Sequence, residues 1–301
     1  MNNFNTLSVD NKSVKWMTIN GRIVYSTTED QTSAVLSTEN TALQTAGYAA
    51  STGTYTPPGD SSAYTYYTCQ TAPVDFAEAG GGSNHLFPIA PHIWCRAKHY
   101  NSALTSFAFG GSTYNVVEQT SLTAWAEQNN IKIPASGLDD IEVLATTQAV
   151  DTSAVPYLMS WMQFQGTFHR DALKGLAGYV VPQTPNTPQP VVFTNDIASG
   201  ETAGELQWST PKLMSNLVPE ECAYMKSMNP TYLGTTGDSG RPVFMYVDGK
   251  PVIVSHNHQV LKPIFGPTAP YYMSGPNYIK AFQLLKAYVE SKGDAVKTIN
   301  D

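Results

Sequence analysis

Charge is scarce in this sequence. Charged residues make up 14% of its 301 residues, and 17 Lys plus Arg stand against 24 Asp plus Glu, for a formal charge of −7. A nucleic-acid surface needs a basic stripe, so that balance argues against one. Long apolar runs are missing too: none approaches the roughly 18 residues that mark a membrane span. Cysteine is sparse. Cys69, Cys95 and Cys222 lie far apart with no Cys-x-x-Cys pair, which argues against a zinc knuckle. Three thiols allow one disulfide, not an extracellular disulfide framework. The opening stretch "MNNFNTLSVDNKSVKW" is polar and has no apolar segment of the kind a signal peptide needs. The expectation is a cytoplasmic or particle-associated protein rather than a secreted one, with neither nucleic acid nor membrane as partner.

What the chain does contain is apolar material in short pieces. Hydrophobic residues make up 42% of it, enough for a sizeable core. Residues 1–67 are rich in Thr, Ser, Ala and Tyr, a composition suited to an extended arm or to short exposed strands. From Cys69 onward, runs such as "LFPIAPHIW", "YNVVEQTSLTAW", "DIEVLAT", "PVVFTN", "RPVFMYV" and "KPVIVSH" favour Val, Ile, Tyr, Phe and Thr, and several alternate. Such runs predict many short strands in an antiparallel all-β domain. "VDGK" between the last two predicts a tight hairpin. "PQTPNTPQP" (Pro182 to Pro190) predicts a loop, because proline donates no ladder hydrogen bond. One long helical pattern is present, over residues 277–292, with Ile279, Phe282, Leu285 and Val289 on one face and Gly293 as C-cap.

The stretch "TTGDSGRPVF" places Asp238 and Ser239 between two glycines, ahead of an apolar strand. One reading is an ordinary Asx-type turn between strands. The other is a nucleophile. A serine hydroxyl attacks only if a base takes its proton, and the oxyanion that follows needs preorganised N–H donors. Gly237 lets the chain turn so that its N–H and that of Ser239 converge. Six histidines are candidates for the base. His99 ends "IAPHIWCRAKHY", where a strand runs into a short turn, whereas His92 sits inside that strand and suits a structural or surface role. For the orienting carboxylate, Asp140 opens the apolar strand "IEVLAT"; its neighbour Asp139 suits a solvated loop end.

These stretches, in the chain order His, Asp, Ser, resemble the chymotrypsin/trypsin-like serine peptidases, and most closely the disulfide-poor bacterial and phage-type members. "IAPHIWCRAKHY" is similar to the family's strand ending in "TAAH", "DDIEVL" to its "DIAL" strand, "TGDSGRPVF" to its "GDSGGP" loop, and "VIVSHNH" to its "IVSWG" strand. The resemblance covers residues 69–293. It implies two six-stranded antiparallel Greek-key barrels, about 68–152 and about 153–275, a C-terminal helix, and an N-terminal extension over residues 1–67. It implies a serine endopeptidase in which Ser239 attacks a polypeptide substrate, His99 is general base then acid, Asp140 orients it, and Gly237 and Ser239 supply the oxyanion N–H groups. Leu233 falls at the base of the specificity pocket, Ser255 on the cleft-lining strand, and His256 and His258 at the cleft wall. No metal or cofactor is implied.

The departures are specific. Lys98 replaces the small residue before the histidine, Tyr100 replaces a disulfide cysteine, and "SHNH" stands where the family has "SWGS". Many animal members activate by burying a new N-terminus on the aspartate before the serine; with a long N-terminal extension ahead of the barrel, that switch is unsupported for Asp238. Leu233 argues against cleavage after Arg or Lys. The rival expectations are a peptidase-fold subunit with little turnover, joined to a larger assembly such as a phage particle through residues 1–67, and a protease that cuts itself.

Overall fold

In this computed structural model the described residues are 72, 74–79, 84–100, 102–131, 138, 140–160, 177–183, 187–194, 222–227, 237–247, 250–261 and 272–299, together with backbone strands at 3–9, 12–19, 22–26, 50–55 and 64–69. The N-terminal residues contribute two small sheets. Strands β1 (Asn3–Val9), β2 (Lys12–Ile19) and β3 (Arg22–Ser26) form one, and β4 (Ala50–Tyr55) pairs with β5 (Tyr64–Cys69). Strand β5 runs through the expected boundary at residues 67 and 68, with Thr68 paired to Ser51.

The next six strands form one antiparallel sheet. They are β6 (Ala77–Ala79), β7 (Asn84–Ala90), β8 (Ile93–Ala97), β9 (Ser106–Phe109), β10 (Ser112–Ser121) and β11 (Ile141–Thr146), in the order β6-β7-β8-β11-β10-β9. The end strands β6 and β9 lie against each other, so the sheet is nearly closed. Alternation along β8 decides what fills it. Trp94 points inward and meets Phe107, Phe109 and Tyr114 with ring centroids 4.8, 5.0 and 5.2 Å away. Two residues on, Arg96 faces the same interior and pairs with Glu142, opposite it on β11. Breaking a buried pair of this kind costs about 3–5 kcal/mol. The other face of β8, with Ile93 and Cys95, packs outward into a larger core. Buried Cys95 is a free thiol.

A short helix, α1 (Leu122–Gln128), follows β10 inside the run "YNVVEQTSLTAW", which reads as strand throughout. Its start is set by Ser121, whose Oγ accepts from the Ala124 N–H at 3.2 Å.

The second sheet has seven antiparallel strands: β12 (Ala177–Val180), β13 (Gln189–Thr194), β14 (Cys222–Ser227), β15 (Pro242–Val247), β16 (Lys250–His256), β17 (Gln259–Leu261) and β18 (Tyr272–Pro276). Their order is β16-β15-β12-β13-β14-β18-β17. The expected hairpin is present, with β15 and β16 closing on the pair Val247↔Lys250. Within the expected proline-rich loop, Pro190 instead pairs with Tyr179 in the ladder between β12 and β13. Helix α2 (Tyr278–Ser291) takes the place predicted for it, with the Asn277 side chain accepting from the Lys280 N–H at 3.2 Å. Its buried face, including Phe282, Leu285 and Val289, packs into one core with Phe87 and Ile93 of the first sheet and Phe244 and Ile253 of the second. No helix among the described residues is long and apolar enough to cross a membrane.

Candidate active site

Register brings the first two candidates together. Strands β8 and β11 pair with Ala97 opposite Ile141, so the residues just beyond, Lys98 and His99 on one strand and Asp140 on the other, are neighbours across the ladder. A single turn of 3-10 helix, Lys98–Tyr100, ends β8. The Lys98 N–H donates to the Asp140 carbonyl at 2.8 Å, and the His99 N–H donates to Asp140 Oδ1 at 3.0 Å. The His99 ring follows, with Nδ1 at 2.9 Å from Oδ1. Its side chain is 33% exposed while that of Asp140 is 6% exposed. His92 lies in the turn between β7 and β8, not within a strand, and pairs with Asp294 at 3.1 Å.

The second sheet delivers the rest. Pro242 of β15 pairs with His256 of β16, so residues 237–241 and 257–258 meet beyond the ladder's end. The Gly240 N–H donates to the Asn257 carbonyl at 2.6 Å, and the Asn257 N–H to the Arg241 carbonyl at 2.9 Å. Half-buried Ser239 donates from Oγ to the His258 carbonyl at 3.2 Å, and among the described residues no hydrogen bond joins it to His99. At that length an O–H···O bond is weak.

The turn is held from several sides. Gly237 has φ +108°, a conformation that a side chain disfavours. His85 Nε2–H donates to the Gly237 carbonyl at 2.8 Å, and Tyr100 Oη to the Ser239 carbonyl at 2.8 Å. Asp238 is fully buried and accepts from the Gln183 N–H at 2.6 Å, with the Arg241 guanidinium 3.9 Å away. The inward aspartate is therefore held from within this part of the chain. The N–H groups of Gly237 and Ser239 have no acceptor among the described residues.

Asp140 carries more than one imidazole. His258 Nδ1 lies 2.5 Å and His256 Nε2 3.2 Å from its Oδ2. Burial opposes the Asp140 charge, but hydrogen bonds from His256, His258 and His99 outweigh it and hold the carboxyl well below the usual range. An ionised carboxylate only accepts, so each nitrogen facing it carries the proton. His256 then takes the Tyr278 phenol as donor at its other nitrogen, 2.8 Å away. Burial, against the pull of Asp140, lowers the pKa of His256 and keeps that ring neutral. Tyr278 in turn bonds to the Cys95 thiol, and burial raises both groups far above their ordinary values.

Of the residues expected at the cleft wall, His256 is fully buried with both ring nitrogens engaged, so neither is left for a substrate. Ser255 is fully buried and donates to the His256 carbonyl at 3.0 Å. His258 faces Asp140 with its side chain 8% exposed. Leu233 and Asp139 lie outside the described residues. Sequence reasoning missed the parts played by His85, Tyr100 and Arg241. His85 reads as an ordinary strand residue, and nothing in its spacing signals a partner 152 residues away. Ligand atoms of His99, Asp140 and His258 lie within 4.8 Å of one another, close enough to share an ion.

No family model matches the chain, and no curated protein matches it. Among solved structures it is similar to the NS6 protease from murine norovirus 1, at 14% identity and a TM-score of 0.39, over 71% of this chain and 97% of that one. At that score the similarity carries no weight for fold or function.

Proposed function

We propose that the chain is a serine endopeptidase of the chymotrypsin-like kind, with the nearly closed first sheet as one barrel and the second sheet as the other. The observation that carries this reading is the hydrogen bond from His99 Nδ1 to buried Asp140, beside a turn that presents Ser239. The bond fixes the tautomer, leaving His99 Nε2 as the base.

In the reaction, Ser239 Oγ leaves the His258 carbonyl and turns to His99 Nε2. The neutral hydrogen bond given up is worth about 1 kcal/mol. His99 takes the proton as Oγ bonds to the substrate carbonyl carbon, and the displaced electron pair goes to the carbonyl oxygen. The N–H groups of Gly237 and Ser239 receive that oxyanion, a contribution of about 3–4 kcal/mol per donor in comparable sites. Collapse expels the amine with the proton from His99, and water repeats the sequence on the ester.

The bond from Ser239 to the His258 carbonyl favours a second reading, a peptidase-fold subunit with little turnover. A fluorophosphonate probe separates the two. Active chain is labelled once, at Ser239, and Ser239→Ala abolishes labelling. Labelling that survives the substitution removes Ser239 as nucleophile. A wild-type chain that is never labelled supports the scaffold.

A further inference from the structure

We infer that His99, Asp140 and His258 form a binding site for a divalent transition-metal ion of the Zn2+ class, and that the ion silences His99. The site itself stands apart from the peptidase reading; only the silencing rests on it.

Two imidazoles converge on one ionised carboxylate, with Nδ1 of His99 2.9 Å from Oδ1 and Nδ1 of His258 2.5 Å from Oδ2. Each hydrogen bond is a proton shared between two lone pairs. A neutral imidazole carries its proton on either nitrogen. Moving it to Nε2 turns each Nδ1 into a ligand, with no change in the charge of the ring. Two nitrogen lone pairs and a carboxylate oxygen are then available as ligands, and ligand atoms of all three residues lie within 4.8 Å of one another.

The dimensions suit a small ion. Tetrahedral zinc, with bonds of about 2.0–2.2 Å, sets its ligands about 3.3–3.5 Å apart. The N···O separations therefore widen by about 1 Å or less as the ion replaces the protons. Two nitrogens and one oxygen suit Zn2+ and its first-row neighbours, whereas Mg2+ and Ca2+ prefer oxygen alone. Three protein ligands leave a fourth position for water. Solvent reaches the site along the His99 side chain, which is 33% exposed.

The surroundings fit as well. His256 Nε2–H lies 3.2 Å from Asp140 Oδ2 and is itself braced by Tyr278. That is the outer hydrogen bond that commonly orients a ligating carboxylate. The two states exclude each other. An ion on His99 Nδ1 occupies the nitrogen through which Asp140 orients the base, so the chain is either metal-loaded or competent.

Titration of the full-length chain with Co2+ and Zn2+ tests this. One equivalent of Co2+ should give the visible ligand-field band of a four-coordinate site, and one equivalent of Zn2+ should bleach it. His258→Asn should weaken Zn2+ binding at least about 100-fold, since even outer-shell changes cost 10–100-fold. Ser239→Ala and His92→Asn should leave it unchanged. Absence of one-to-one binding, or full binding by folded His258→Asn, overturns the site. If that variant fails to fold, carbethoxylation of the wild type decides: Zn2+ must protect His99 and His258 and spare His92. Zn2+ should also stop fluorophosphonate labelling, and a chelator should restore it. Labelling at an undiminished rate in zinc-loaded chain overturns the silencing. Chain that binds Zn2+ but is never labelled, even with chelator, instead removes the peptidase reading and leaves the site standing.

Discussion

His85 Nε2 lies 2.8 Å from the Gly237 carbonyl, so a side chain of the first sheet sets the peptide that opens the serine turn of the second. The imidazole is buried and its edge meets Phe76, whose ring also carries the Arg241 guanidinium 4.7 Å from its centroid. Removing the ring leaves a carbonyl without its donor beside Asp238. His85→Ala should lower stability by about 1–3 kcal/mol, the cost of a buried group left unsatisfied. It should also slow fluorophosphonate labelling about tenfold, because the peptide joining Gly237 to Asp238, directly ahead of Ser239, loses its fixed direction. Unfolding midpoints and labelling rates measured on the same sample check this; unchanged labelling would free the turn from His85.

Acid should weaken the fold in two stages. Burial, aided by Arg241, lowers the pKa of His85 from 6.5, and burial lowers that of His256 from the same value. A group whose pKa is lowered on folding adds stability that is complete above its unfolded value and is lost as pH falls toward the folded one. The first loss therefore begins below about pH 6.5. Asp140 is held well below 3.8, so its contribution is complete above that value and is lost progressively as pH falls from there toward its folded value. Urea midpoints from about pH 8 to about pH 2 should show the first stage and the onset of the second. His256→Gln should flatten the first. Midpoints constant between about pH 8 and about pH 5 would contradict the assignment.

Gly275 on β18 allows β16 to approach. A methyl group there would lie well inside contact distance of the His256 carbonyl and Ser255 Oγ. Both neighbours are fully buried, so neither gives way cheaply. Gly275→Ala should cost about 3 kcal/mol, the upper end for overpacking, and lower Tm by about 6–12 °C. Calorimetry reads this directly, and a shift under about 2 °C would mean that β18 moves freely.

How much of this was legible in the sequence depends on range. Helix α2 and the hairpin from β15 to β16 were readable because their signals are local: Asn277 caps the one, and an Asp-Gly pair in the sequence announces the other. The pairing of His99 with Asp140 was readable only through the order of three motifs. Helix α1 was hidden because Thr123 and Trp125 suit a strand as well as a helix, and a single Ser121 cap decides between them. The three imidazoles on Asp140 were out of reach. "SHNH" shows two histidines at a strand end but not that one turns inward and the other across. That outcome depends on Tyr278, which waits beneath His256 from a different element.

The dependence on Tyr278 also orders events in time. Chains emerge from the ribosome N-terminus first, at about 5–20 residues per second. His99, Asp140 and Ser239 all appear before the phenol that braces His256. While translation is still upstream of Tyr278, that nascent polypeptide lacks the final support for its carboxylate, so the cluster of imidazoles on Asp140 is complete only once α2 has been made.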